Sequence, residues 1–151
     1  MTKQPRQARR TALRLLYAAD VGDDSPEEIL GSSRETIDEL NGRVDWELVE
    51  RRVRGVADRR DFIDEQIREL SPNWRIDRMA AVDRNLLRLG IYEILEEITP
   101  PLIAINACVE LAKEFGTAST PGFINGLLDQ LCQNHGISIE ATSSSAPNGG
   151  D

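Results

Sequence analysis

The chain has 151 residues, 40% hydrophobic and 29% charged, with two cysteines, one histidine and a formal net charge of −8. That length suits one compact domain burying about 68–70% of its unfolded surface. A lone His135 argues against a metal centre or a paired-histidine acid–base scheme, and no apolar run reaches membrane-spanning length.

The charge is unevenly placed. Residues 1–16 hold five Lys or Arg and no acid, leaving thirteen bases against twenty-six acids in the rest of the chain. Local basic density matters more for binding a polyanion than the overall balance. The opening segment is predicted to be a helix that fades near Gly22. At about 100° per residue, Lys3, Arg6, Arg9, Arg10 and Arg14 share one arc of roughly 140° with Tyr17 inside it, while Ala8, Ala12, Leu15 and Ala19 lie opposite. Leu13 interrupts the basic arc.

Ser25-Pro26-Glu27-Glu28 is a capping-box start for a short helix through Leu30. The polar stretch from Gly31 to Gly42 carries no clear period, with a helical piece around Glu35–Leu40 as one option. From Asp45 to Leu70, Trp46, Val49, Val53, Val56, Ile63, Ile67 and Leu70 step by threes and fours, broken only at Arg60. This predicts one long amphipathic helix whose other faces are solvated and laced with ion pairs. Pro72 ends it, and Trp74–Met79 is a connector or single turn. Ala80–Glu97 is apolar around most of its circumference and belongs in the middle of the fold. Leu102–Phe115 follows, stopped by Gly116, and Phe123–Asn134 is the last amphipathic helix. Cys108 and Cys132 lack metal-ligand spacing and read as reduced core residues. Residues 1–136 are expected to form one all-helical domain. Ile137–Asp151 is too polar to bury itself and is expected to be a flexible tail. The fold class is all-α, a compact helical bundle.

Motifs for chemistry are missing: there is no P-loop, GxGxxG, HExxH or GxSxG. No enzyme activity, cofactor or metal is expected. The basic arc suits either nucleic acid or a solvated face paired with the acidic remainder. Tyr17 favours single-stranded nucleic acid, since exposed bases stack on aromatic rings for about 1–3 kcal/mol each. The N-terminus lacks a signal-type apolar stretch, and a cytoplasmic protein is expected.

Several segments, in order, resemble one family. They are Ala8-Arg9 with Ala12–Tyr17; Ala81–Glu93 (AVDRNLLRLGIYE); Ile103-Ala104-Ile105-Asn106 with Val109–Gly116 (VELAKEFG); and Phe123–Asp129 (FINGLLD). Over residues 6–131 the chain resembles the bacterial transcription antitermination factors of the NusB family. The resemblance implies a compact bundle of about seven helices in two helical subdomains. It further implies a non-catalytic protein that binds the boxA element of ribosomal RNA leader transcripts together with NusE, a small-subunit ribosomal protein. Such a protein works in an RNA polymerase antitermination complex, supports ribosomal RNA transcription and maturation, does not enter membranes, and is a monomer or homodimer. An alternative is a protein-interaction scaffold acting through NusE or self-association with little RNA affinity of its own.

Carried over by position, the RNA surface comprises Arg6, Arg9, Arg10 and Tyr17, with Arg14 added by helical geometry and Ser119 and Phe123 from the loop before the last helix. The NusE-facing surface centres on Asp77, Asp83 and Arg84, where acids suit a basic ribosomal protein. Gln7 interrupts the family's usual arginine run, and Gly122 stands where a Lys is frequent. Phe123 suits a core anchor better than an RNA platform, and Asn125 a helix cap or bridge better than a ligand contact, while Asp83 equally suits a solvated acid and Arg84 and Arg88 intramolecular pairing with Asp77.

Overall fold

The structure is a computed structural model and describes residues 5–41 and 44–139, without the side chains of 39–41. Lys3 and tail residues 140–151 lie outside the described residues. The described residues form seven α-helices and one 3-10 turn, with no strand. They divide into two compact units, Met1–Arg59 and Arg60–Asp151.

The first unit contains α1 (Pro5–Gly22), α2 (Pro26–Asn41) and α3 (Trp46–Asp58), with α1 packed on both others. The capping box forms as its residues dictate. The Ser25 amide donates to Glu28 Oε1 at 2.9 Å and the Glu28 amide to Ser25 Oγ at 3.1 Å. These two bonds satisfy donors that a helix start would otherwise leave orphaned. The helix so begun runs past Leu30 to Asn41, so the expected stop at Leu30 is corrected. Ile29 and Leu30 bury into the core, and the polar residues beyond them stay helical. The indole Nε1 of buried Trp46 donates to Asp38 at 2.8 Å, and the Arg34 guanidinium lies 5.2 Å from the same ring's centroid. These contacts tie the later half of α2 to α3.

The long helix expected over Asp45–Leu70 is two helices. Asp45 caps α3 by accepting from the Leu48 amide at 3.4 Å, and Arg59 ends it at φ −108° and ψ 17°. The break falls where the apolar spacing lapses. Val49, Val53 and Val56 bury in the first unit, Ile63 and Ile67 in the second, and Arg60 between them is exposed. Each apolar stripe serves its own core, and no buried residue at position 60 joins the two stripes into one. Pairs such as Arg54–Glu27 at 2.8 Å and Arg68–Glu65 at 3.3 Å lace the outer faces.

The second unit contains α4 (Arg60–Leu70), the 3-10 turn (Ile76–Arg78), α5 (Ala81–Leu95), α6 (Pro101–Phe115) and α7 (Thr120–Asn134). The helix α5 packs against α4, α6 and α7, and every residue from Asn85 to Ile94 is buried. Its apolar circumference predicts that central place. Gly90 permits the close approach of its neighbours: a Cβ there would lie 2.8 Å from Leu128 Cδ1 and 3.1 Å from Cys108 Sγ. The buried polar groups of α5 are paired. Arg88 Nε donates to Asp64 Oδ1 at 2.8 Å and Nη2 to Oδ2 at 3.1 Å. Arg88 Nη1 also donates to Asn85 Oδ1 at 3.2 Å. The Thr99 hydroxyl donates to Glu93 Oε1 at 2.6 Å. Arg88 therefore pairs with Asp64, not Asp77.

The last helix starts three residues earlier than its apolar pattern suggests. Thr120 is buried, and its hydroxyl accepts from the Thr117 amide at 3.0 Å. At the other end Gly136 takes φ +66°, and the Ile137 amide bonds back to the Cys132 carbonyl at 2.8 Å. This is a left-handed helix cap that a glycine adopts without a Cβ penalty. Ile137, assigned to the tail by composition, is held against the end of α7.

Candidate nucleic-acid interface

The first 16 residues carry cations and no acid, and α1 turns them outward selectively. Its buried residues are Ala8, Arg9, Thr11, Ala12, Leu13, Leu15 and Leu16, which at helical geometry span about 200° of the circumference. The remaining face carries Arg6, Arg10, Arg14 and Tyr17 within about 80°. Arg6 and Arg14 are exposed, Arg10 is half-buried and Tyr17 is 41% exposed. Arg6, Arg10 and Arg14 follow one another at about 6 Å along the axis, a row of guanidiniums with an aromatic ring in the same stripe.

Arg9 departs from the expected outward arc. It is only 7% exposed, on the side of the helix that also buries Leu13 and Leu16. The small residues Ala8 and Ala12 let α1 sink deeply into its unit, so the buried arc widens to take in position 9. Leu13, the apparent interruption of a basic face, marks where the core already begins. Arg9 is thus a buried polar member of α1, and the outward row is Arg6, Arg10 and Arg14.

The second unit contributes a separate set. Ser119 is exposed at the position before α7, its Oγ 3.3 Å from Thr117 Oγ1. Phe123 is half-buried, whereas Ile124, Leu128 and Leu131 of the same helix are fully buried. The core anchor of α7 is therefore Ile124, and the Phe123 ring stands at the margin. It meets the Trp74 ring edge to face, with centroids 6.2 Å apart and planes at 64°. Trp74 is 59% exposed. Sequence reading passes over Trp74; its signal is a tryptophan set in a polar connector, outside any apolar period. Asn125 is exposed, and its Nδ2 lies 3.4 Å from Asp129 Oδ2, one turn along the helix.

The three residues expected to face a protein partner all have bonds within the chain. Asp77 is exposed and receives Arg75 through Nε at 3.2 Å and Nη2 at 2.9 Å. Asp83 accepts the Thr120 hydroxyl at 3.2 Å, joining the start of α5 to the start of α7. Arg84 Nη1 donates to the Met79 carbonyl at 2.8 Å. Asp77, solvated and paired at the surface, can exchange its partner at little cost, because exposed pairs are worth about 0–1 kcal/mol. Asp83 and Arg84 are half-buried and order the connector as well as lining it.

Among the described residues no cluster of His, Cys, Asp or Glu could hold a metal ion, and no helix is long and apolar enough to cross a membrane. Cys108 and Cys132 are buried. Burial, with a smaller contribution from the Asp129 carboxylate, pushes the Cys132 thiol above its usual range.

Comparison with known proteins gives a consistent result. The NusB family profile matches residues 6–133. The transcription antitermination protein NusB of Anaeromyxobacter dehalogenans is 40% identical over 131 residues, covering 87% of this chain and 92% of the relative. The solved structure of NusB from T. maritima superposes with a TM-score of 0.79 at 30% identity, covering 95% of this chain and all of that one. A structure of the antitermination factors NusB and NusE in complex with dsRNA aligns with a TM-score of 0.75 at 27% identity, covering 85% and 96% of the two chains.

Proposed function

The chain belongs to the NusB family, and on that premise we propose that it is a transcription antitermination factor that binds the boxA element of ribosomal RNA leader transcripts together with NusE. It thereby supports ribosomal RNA transcription and maturation, acting in the cytoplasm by binding and not by catalysis. The observation that carries the reading is the outward row Arg6, Arg10 and Arg14 with Tyr17 on α1, in a chain whose first 16 residues hold no acid although its net charge is −8. A polyanion meets concentrated positive charge there, and the acidic remainder discourages indiscriminate binding elsewhere. Tyr17 offers a face for an unpaired base. Ser119 and Phe123 complete the RNA-binding set on the second unit. Asp77, with the start of α5 at Asp83 and Arg84, is the surface offered to NusE, whose basic character suits the acids.

A boxA-containing RNA titrated against the protein, with and without its NusE, tests this. Three guanidiniums that neutralise about three phosphates give a slope of log affinity against log salt of about −2 on single-stranded RNA. Arg10→Glu with Arg14→Glu should weaken binding and flatten the slope by about 1.4 while leaving the helical content unchanged. A folded double variant with unaltered affinity would refute the assignment of the row. RNA binding seen only when NusE is present would make the protein a scaffold for its partner.

A further inference from the structure

We propose that Trp74 is an RNA-binding residue: with Phe123 it forms an aromatic platform on the second unit that takes one unpaired base. The inference rests on the RNA-binding reading above. It starts from an exposure that folding alone does not explain. Trp74 leaves 59% of its surface in water, although Phe123, its ring neighbour 6.2 Å away, is only half-buried. A tryptophan that served only the core would be covered. The edge-to-face arrangement at 64° instead steadies the indole against a neighbour and leaves ring surface available for stacking.

The backbone that carries the indole is tied down. The Trp74 amide donates to the Ser71 carbonyl at 3.0 Å, and the buried Ser71 hydroxyl donates to the Ile67 carbonyl at 2.7 Å, anchoring the connector to the end of α4. Little ordering entropy is then lost when a base arrives.

The surroundings favour a nucleic acid over an apolar protein segment. Phe115–Leu128 contains no acid in a chain with 26 of them, and neither does Leu70–Ile76, which supplies Arg75, next in sequence to Trp74 and paired with Asp77 at 2.9 Å. The hydroxyls of Thr117 and Ser119 are exposed in the same loop that leads to Phe123, and Gly122 leaves open space where a side chain would stand. Two rings carried on segments that supply hydroxyls and no carboxylate, with Arg75 in an exposed pair that a phosphate can displace at little cost, suit a base and its sugar–phosphate. Trp46 is enclosed and hydrogen-bonded to Asp38, so the two tryptophans of the chain are physically distinct reporters.

The test uses the full chain and a boxA-containing single-stranded RNA. In a Trp46→Phe background, emission comes from Trp74 alone. RNA should quench it, and Trp74→Ala should bind the RNA about 5- to 150-fold more weakly, the range that loss of one stacked base produces. Trp74→Phe should retain most of the affinity. RNA that binds without changing Trp74 emission overturns the proposal, even if Trp74→Ala binds less well, because the indole would then act only through the fold. Emission that responds to NusE but not to RNA overturns it in favour of a protein contact. If the unaltered protein binds no RNA with or without NusE, the RNA-binding reading itself fails, a result distinct from the other two.

Discussion

Removal of the Asp64 carboxylate should cost this protein more than any other single charge change in α4. The Arg88 side chain is 4% exposed and Asp64 11%, and their two parallel hydrogen bonds measure 2.8 and 3.1 Å. In Asp64→Ala the guanidinium stays buried, because Arg88 lies in the middle of a helix enclosed from Asn85 to Ile94. Asn85 Oδ1, which accepts from Arg88 Nη1 at 3.2 Å, cannot neutralise it. Breaking a buried pair from one side costs about 3–5 kcal/mol. Arg60 also reaches Asp64, at 2.9 Å, but its side chain is 44% exposed, so Arg60→Ala should cost at most about 1 kcal/mol. Replacing both buried partners, Asp64→Leu with Arg88→Met, should recover most of the loss, since no charge is then stranded. Urea denaturation followed by far-ultraviolet circular dichroism reads all three variants. If Asp64→Ala unfolds within about 1 kcal/mol of the unaltered protein, or no more easily than Arg60→Ala, the reasoning from burial is wrong.

Two glycines should respond oppositely to the same substitution. Gly90→Ala places a methyl 2.8 Å from Leu128 Cδ1 and should destabilise by about 1–3 kcal/mol through overpacking. Gly31→Ala meets nothing within 4 Å on α2 and should stabilise by up to about 1 kcal/mol through helix propensity; thermal melts of both variants check the sign. Cys132 should resist iodoacetamide in the native protein at mildly alkaline pH and react readily in denaturant. Its folded thiol ionises above its usual range, so the stability this contributes is complete below the unfolded pKa and is lost as pH rises through the folded one. Equal labelling rates in the two states would contradict the burial.

Local chemistry made much of this protein legible in its amino-acid order. The Ser25–Glu28 capping box, the proline and glycine stops, the apolar circumference of α5 and the all-helical class follow from rules that act within a few residues. Family membership likewise rested on ordered segments such as AVDRNLLRLGIYE and FINGLLD. Helical periodicity also found the basic stripe of α1, because residues four apart share a face whatever surrounds the helix.

It could not find the stripe's edges. Whether Arg9 faces water or the core depends on how deeply α1 sinks into its unit, and that is decided by the helices packed on it. For the same reason the apolar steps from Trp46 to Leu70 read as one helix. Only the division of those residues between two cores explains the break at Arg59. The Asp64–Arg88 pair joins residues 24 apart, and the Trp74–Phe123 contact joins a connector to a distant helix, with no periodic signal to announce either. Sequence by itself determined the all-helical class and which residues carry charge. Tertiary packing decided which of those charges reach solvent and which aromatic rings meet, because burial belongs to the assembled core and not to any one helix.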